Sequence, residues 1–415
     1  MKRFYNLLII FLFAVGAFLR LYNFENRLIF GPEQSISLLT AAGNLTKFSL
    51  LGEVNVQRAT STGLNPFHGA YFNYLLIPAL LLFNFRPLPI SYVFAFLNLA
   101  TALVFFFVVK KIFGKTNALF TIFYFLLSAK MIHHSLFIWN LNLLPLLGVL
   151  TLSLLYVQSK NRLKLSPPFW LGLIAGFGFG LQYLYLPFIF LTLFLTVWLS
   201  KRKLPALAVF FAGGILGNLS MVIFDLRHDF YHLRTLWQYA TDVLAGRISG
   251  GIHYYDFMYL LPYLFIVYAF ATHLLLKIFK PLCLLPMLLF LSINLSSPLF
   301  NLYRSTGMAP GLTLAKLEQA AATIAADQPP EKFNVATLWD FDTRAHPFRY
   351  LLKYYYKYTP QPYENYADID ALYVFAPADY DINRPAVWEL KTYLPYQVKE
   401  LPSPTSGYRL YKLTK

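Results

Sequence analysis

The seven acidic side chains among the first 300 residues fall in only two places. Glu25, Glu33 and Glu53 follow a first apolar run, and Asp225, Asp229, Asp242 and Asp256 lie between two later ones. The basic clusters stand elsewhere: Lys2-Arg3, Lys110-Lys111 with Lys115, Lys160 to Lys164, Lys201-Arg202-Lys203, and Lys277 with Lys280. Charge sorted in this way between long apolar runs marks a polytopic α-helical membrane protein, whose short basic loops face the cytoplasm.

Composition agrees. The chain is 57% hydrophobic and 13% charged, against about one quarter charged in soluble domains. The net charge of +16 is no nucleic-acid signal. Residues 1–300 carry 22 basic against 7 acidic side chains and residues 301–415 carry 13 against 12, so the excess belongs to the apolar part. The single cysteine, Cys283, lies in an apolar run and reads as a small core residue, without a disulfide framework or thiolate metal site. After Met1-Lys2-Arg3 the chain is apolar to Leu21, and no small-residue cleavage pattern follows, so this run reads as an uncleaved first span.

Ten runs have the composition of spans: 4–21, 71–85, 90–109, 117–131, 136–157, 167–182, 183–199, 204–224, 257–276 and 281–298. If all ten cross, the basic clusters alternate between sides. Treating 71–85, with its Asn73, Pro78 and Asn84, as an interfacial or re-entrant helix removes the conflict. About nine crossings then put the basic clusters in the cytoplasm and all seven acids outside. Small residues (Gly172, Gly176, Gly213, Gly217) mark two spans as closely packed.

Residues 1–300 thus form a transmembrane domain whose long outer loop, 22–89, carries interfacial helices. Residues 301–415 read as a small extracytoplasmic α/β domain. Its expected elements are a helix from Thr313 to Asp327 with Leu314, Leu317, Ala321 and Ile324 on one face, a strand from Phe333 to Leu338 and a helix from Pro347 to Tyr358. A strand from Ala371 to Ala376, a helix from Pro385 to Tyr393 and a closing strand from Tyr408 to Leu413 follow. It has neither a Gly-rich phosphate loop nor metal-ligand spacing, and reads as a recognition or stabilising domain.

Glu33 is the strongest candidate for chemistry. It stands about a dozen residues past the first span, where apolar walls raise a carboxylate toward the range of a general base. Its plainer reading is an acid at the N-terminus of a helix beginning near Ser35. Arg58, His68, Arg227 and His228 are the outer cations suited to a phosphate, arginine best because its planar fork gives two parallel hydrogen bonds. For Arg227-His228 the alternative is a headgroup anchor or solvated loop. Tyr71, Tyr74, Gln182, Tyr183 and Tyr185 are candidates to line a sugar, although interfacial tyrosine is ordinary in membrane proteins. His133 and His134 diverge by about 100° on a helix, so at most one faces a site. His134 and the near-membrane amide Asn140 are therefore single candidates.

The order of these features resembles the GT-C membrane glycosyltransferases, in the branch of protein O-mannosyltransferases and lipid A aminoarabinose transferases (glycosyltransferase family 39-like). Phe18-Leu19-Arg20-Leu21 is similar to the end of that branch's first span. Glu33-Gln34-Ser35-Ile36-Ser37 stands where relatives often have Asp-Gln-Gly-Arg-Asp, keeping one carboxylate and replacing the second acid by Ser37. His68-Gly69-Ala70-Tyr71, Ser135 to Asn140, Gly178 to Tyr183, and Phe224-Asp225-Leu226-Arg227-His228 resemble four further landmarks in order.

The resemblance implies inverting transfer of a sugar from a polyprenyl-phosphate donor to a lipid, glycan or protein acceptor on the non-cytoplasmic side. Glu33 would be the base, with Gln34, Arg58, His68, Tyr71, His134, Asn140, Gln182, Tyr183, Arg227 and His228 around the substrates. It requires no cofactor and leaves a divalent cation open, since a second acid found near the 135–140 turn in related branches is absent. The implied setting is a bacterial plasma membrane with a cytoplasmic N-terminus. A catalytically silent GT-C scaffold and a lipid-linked sugar transporter or flippase are the alternatives. Against the transporter, no internal repeat and no mid-membrane acid are evident.

Overall fold

The computed structural model of the chain describes residues 2–55 and 58–415 and is mostly helical. Among the described residues four helices are long and apolar enough to cross a membrane: Arg3–Leu21, Pro87–Phe113, Asn140–Lys160 and Tyr254–Ile278. Tyr71–Leu82, Ser166–Leu181, Tyr183–Leu199 and Lys280–Leu295 are shorter apolar helices.

The expected span 204–224 is two helices, Lys203–Gly217 and Leu219–Arg227, bent by 80°. The break falls at Asn218, whose non-helical backbone caps the second helix. The run 117–131 also shortens, to Lys115–Leu126, and a separate turn of helix, Ala129–His133, follows. Tyr71–Leu82 ends before Arg86-Pro87, and its 12 residues reach only about 18 Å at 1.5 Å per residue, short of a hydrocarbon core about 30 Å thick. Lys115–Leu126 has the same length, so charge pattern, not helix length, is what distinguishes the two.

The chain divides into two compact units. The first gathers the described residues of Met1–Leu21, Thr40–Pro78 and Val93–Phe300. Two features hold it. Arg20 is fully buried and ties three helices: Nε donates to Asn98 Oδ1 at 2.9 Å, and Nη1 donates to the carbonyls of Gly16 (3.0 Å) and Leu126 (2.9 Å). Ser166–Leu181 and Lys203–Gly217 meet along a glycine seam. A Cβ on Gly172 would lie 1.9 Å from the Phe210 carbonyl oxygen, and one on Gly176 would lie 2.0 Å from that of Gly214. Between apolar helices in lipid, such backbone approach is itself a source of association.

The second unit gathers Tyr22–Leu39, Ala79–Tyr92 and Asn301–Lys415. Its sheet runs β3 (Phe333–Thr337), β4 (Ala371–Pro377), β6 (Tyr408–Thr414), β5 (Gln397–Leu401), with β3 and β4 parallel and the other pairs antiparallel. Leu314–Ala326 is the expected amphipathic helix. Leu314, Leu317, Ala321 and Ile324 are buried, and Thr313 caps its first turn through Lys316 N. The expected helix 385–393 contracts to Trp388–Thr392. β5 was not anticipated, because as an edge strand it is exposed at Gln397–Glu400 and shows no alternating pattern. β6 is consequently an interior strand.

The seam makes a prediction. Gly176→Val should abolish the monodisperse detergent-solubilised protein, because only backbone movement relieves the clash. Gly43→Ala, where an added Cβ meets nothing within 4 Å, should shift the melting temperature by no more than about 2 °C. Size-exclusion chromatography and thermal scans of the two variants check this.

Candidate functional site

Within the first unit, a long excursion leaves β1 (Leu51–Val54) and returns as β2 (Phe67–Gly69), its antiparallel partner. β2 lies against the end of the Ser166–Leu181 helix. A Cβ on Gly69 would stand 3.0 Å from Gly180 Cα, so glycine at both positions allows the approach. That approach stacks the His68 ring on Tyr183, with centroids 5.3 Å apart and planes 6° from parallel.

The excursion is pinned from the 225–256 segment. Arg58 Nη2 donates to Asp256 Oδ1 at 2.7 Å, Ser61 N donates to Asp242 Oδ2 at 2.8 Å, and His232 Nε2 donates to the Phe67 carbonyl at 2.8 Å. His232 is itself fixed by its backbone N–H donating to Asp225 Oδ1 at 2.8 Å. Gln182, extended just past the Ser166–Leu181 helix, donates from Nε2 to Asp256 Oδ1 at 2.6 Å. Arg58, His68, Gln182 and Tyr183 are thereby brought together, with Asp256 and His232, which sequence reasoning did not single out. The signal for them was weak: two polar residues in a loop otherwise read as a marker of sidedness.

A cavity of about 820 Å³ opens beside this cluster. Its lining is mostly apolar, from Phe179, Leu184 and Pro187 on one side and Leu233, Trp237, Ala240 and Val243 of the Tyr231–Leu244 helix on the other, with Arg58, Tyr183 and Arg234 as its polar members. Arg58 is 8% exposed, and its Nε and Nη1 have no protein acceptor among the described residues. A fixed cation on an apolar wall suits an amphiphilic anion.

Burial, then the neighbouring Arg58 and His232, push His68 down to about 4, so near neutrality it offers a hydrogen bond and no charge. Burial together with His133 and Lys130 pushes His134 down to about 3. His134 Nδ1 donates to Asn142 Oδ1 at 2.8 Å, and Nε2 meets Tyr254 Oη at 3.1 Å. Asn140 donates to the Leu181 carbonyl at 2.8 Å, bracing the residue before Gln182.

The structure does not bring the remaining candidates of this unit into the cluster. Tyr71 donates its hydroxyl to the Leu216 carbonyl at 3.1 Å. Arg227 and His228 are exposed at the end of Leu219–Arg227, and His228 Nδ1 donates back to the Phe224 carbonyl at 2.8 Å. Among the described residues no three His, Cys, Asp or Glu side chains are gathered to hold a metal ion.

In the second unit, Glu33 is half-buried in the first turn of the Pro32–Gly43 helix, which starts earlier than expected. Gln34 Oε1 accepts the Gly31 N–H at 3.0 Å, closing that helix's entry turn, and Ser37 Oγ donates to the Glu33 carbonyl at 2.9 Å. Gln34, 2% exposed, thus has a structural task.

No family model matches the sequence, and no curated protein is significantly similar to it. Solved structures are similar in fold. ArnT from Cupriavidus metallidurans in the apo state aligns with a TM-score of 0.52 at 10% identity, over 99% of this chain and 98% of that one. ArnT from the same organism bound to undecaprenyl phosphate aligns at 0.49 and 11% identity, over 100% and 98%. The Archaeoglobus fulgidus oligosaccharyltransferase in complex with zinc and sulfate aligns at 0.49 and 11%, over 90% of this chain and 68% of that one. The first of these alignments gives the chain an ArnT-like GT-C fold, with a C-terminal mixed sheet. With its candidate spans, that fold makes it an integral membrane protein.

The histidines predict a pH dependence. His68 at about 4 lies below the roughly 6.5 of an unfolded chain. On acidification the unfolded state takes up a proton that the folded state refuses, so stability is full above that range and falls as pH drops toward 4. His68→Gln should flatten the decline of melting temperature between pH 7 and 4.5; an unchanged slope would show that His68 is not held neutral.

Proposed function

We propose that this chain transfers a glycosyl group from a polyprenyl-phosphate donor to an acceptor hydroxyl on the non-cytoplasmic side of the membrane, with inversion. The observation that carries the reading is the apolar cavity with Arg58 in its wall, in a chain of GT-C fold. An isoprenoid tail needs an apolar channel, and its phosphate needs a fixed donor fork at the channel's polar end. ArnT, solved with undecaprenyl phosphate, is a protein for which such a ligand is on record.

The chemistry balances without a covalent enzyme intermediate. A carboxylate base takes the proton from the acceptor hydroxyl, whose oxygen attacks C1 as the C1–O bond to phosphate breaks; Glu33 is the base that the family resemblance implies. The leaving polyprenyl phosphate gains negative charge, which Arg58 stabilises. His68, neutral, serves as a hydrogen-bonding neighbour, and Gln182 and Tyr183 face the sugar. The charge pattern puts the N-terminus in the cytoplasm and residues 301–415 outside. The acceptor is a lipid, glycan or protein hydroxyl.

Purified protein with labelled polyprenyl-phosphate hexose and a panel of acceptors tests this. Glu33→Gln should lower transfer by about 100-fold or more while leaving lipid binding intact. Ala240→Trp, which fills the cavity, should weaken undecaprenyl phosphate binding by about 10-fold or more. Unchanged turnover in Glu33→Gln removes that residue from the mechanism. Donor binding with no turnover on any acceptor makes the chain a silent scaffold, and net movement of intact donor across a vesicle makes it a transporter.

A further inference from the structure

We infer that Asp256 is the positioning residue of the site: it holds the Arg58 guanidinium in the cavity wall with its free edge presented to an anion. The inference rests on the donor reading above and assigns a role to a residue outside the candidate set. Asp256 is completely buried, and its carboxylate accepts hydrogen bonds from three separate parts of the first unit. Oδ1 receives Arg58 Nη2 at 2.7 Å and Gln182 Nε2 at 2.6 Å, and Oδ2 receives the His253 backbone N–H at 2.9 Å.

The last of these bonds matters for shape as well as charge. His253 directly follows Gly250, Gly251 and Ile252, which line the cavity. One carboxylate therefore fixes the cation, the residue after the Ser166–Leu181 helix and a stretch of cavity wall.

Two opposed effects decide what its removal does. A carboxylate near a phosphate repels it, which by itself would make loss of Asp256 tighten binding. A guanidinium on an apolar wall without its counter-charge is an uncompensated buried ion, which is strongly disfavoured and drives the side chain out of place. Asp256 is already balanced by Arg58 and screened by two further donors, so its repulsion on an anion beyond the guanidinium is damped. Positioning wins.

The test uses the full chain in phosphatidylcholine nanodiscs titrated with undecaprenyl phosphate. Asp256→Asn should weaken binding at least 10-fold, Arg58→Gln should do the same, and the double variant should bind no worse than Arg58→Gln alone. That non-additivity distinguishes acting through Arg58 from merely supporting the fold. If Asp256→Asn does not fold, Asp256→Glu, which keeps the charge but displaces it, should weaken binding in the wild-type background and have no effect in the Arg58→Gln background. Unchanged or tighter binding in Asp256→Asn, or an equal loss in both backgrounds, overturns the inference while leaving the donor reading standing. Failure of the wild-type chain to bind undecaprenyl phosphate overturns both.

Discussion

A polar group in hydrocarbon has no water to turn to, so each must find its partner within the protein. The first unit meets this demand at several polar groups carried by its apolar helices. Arg20 finds Asn98 and two carbonyls, and Gln158 Nε2 donates to Ser200 Oγ at 2.7 Å. Lipid gives little hydrophobic reward for bringing helices together, which is why the seam between Ser166–Leu181 and Lys203–Gly217 is backbone against backbone at glycine. The same constraint governs the site. A guanidinium stands in the wall of an apolar cavity because Asp256 stands behind it, and that pair seats residues 58–69 together with the Ser61–Asp242 and His232–Phe67 bonds.

This recasts the acids of the 225–256 segment. As charges along a chain they mark a side of the membrane. In the structure three of the four are anchors: Asp225 holds His232, Asp242 holds Ser61, and Asp256 holds Arg58. Asp242 also pairs with Arg247 at 2.8 Å. A loop that counts only as a topological marker in the sequence thus clamps another loop, and the clamp decides where the candidate phosphate ligand points.

What was legible follows from how each signal is written. Apolar runs and the helix Leu314–Ala326 are local periodicities, and β3, β4 and β6 are short runs of buried β-formers, so all could be read from neighbours in sequence. The bend at Asn218 and the edge strand β5, which pairs with the next strand, β6, left no periodic trace. The site divides in the same way. Arg58, His68, Gln182 and Tyr183 were recognisable as residue types suited to a phosphate or a sugar. Tyr71, Arg227 and His228 are of the same types, yet their side chains and position take them elsewhere. Residue type can be read from sequence, but direction cannot. Asp256 was invisible as a site residue because its meaning lies in a pair formed across 198 positions.

The cluster also shows why one charged fork and one neutral ring stand side by side. In a poorly hydrated pocket a second cation next to Arg58 is disfavoured both by desolvation and by repulsion, and His68 accordingly gives up its proton. On the proposed reading, an arriving phosphate meets one locked charge, Arg58, beside neutral donors, with the exposed Arg234 also on the cavity lining. Attraction alone could be supplied by a scatter of lysines, but such flexible point charges would not fix the angle at which the anion sits. A planar guanidinium locked from behind by a carboxylate can. Inversion at a sugar carbon requires that the leaving oxygen lie in line with the attacking one, so on that same reading orientation, more than net charge, is what the Arg58–Asp256 pair would contribute.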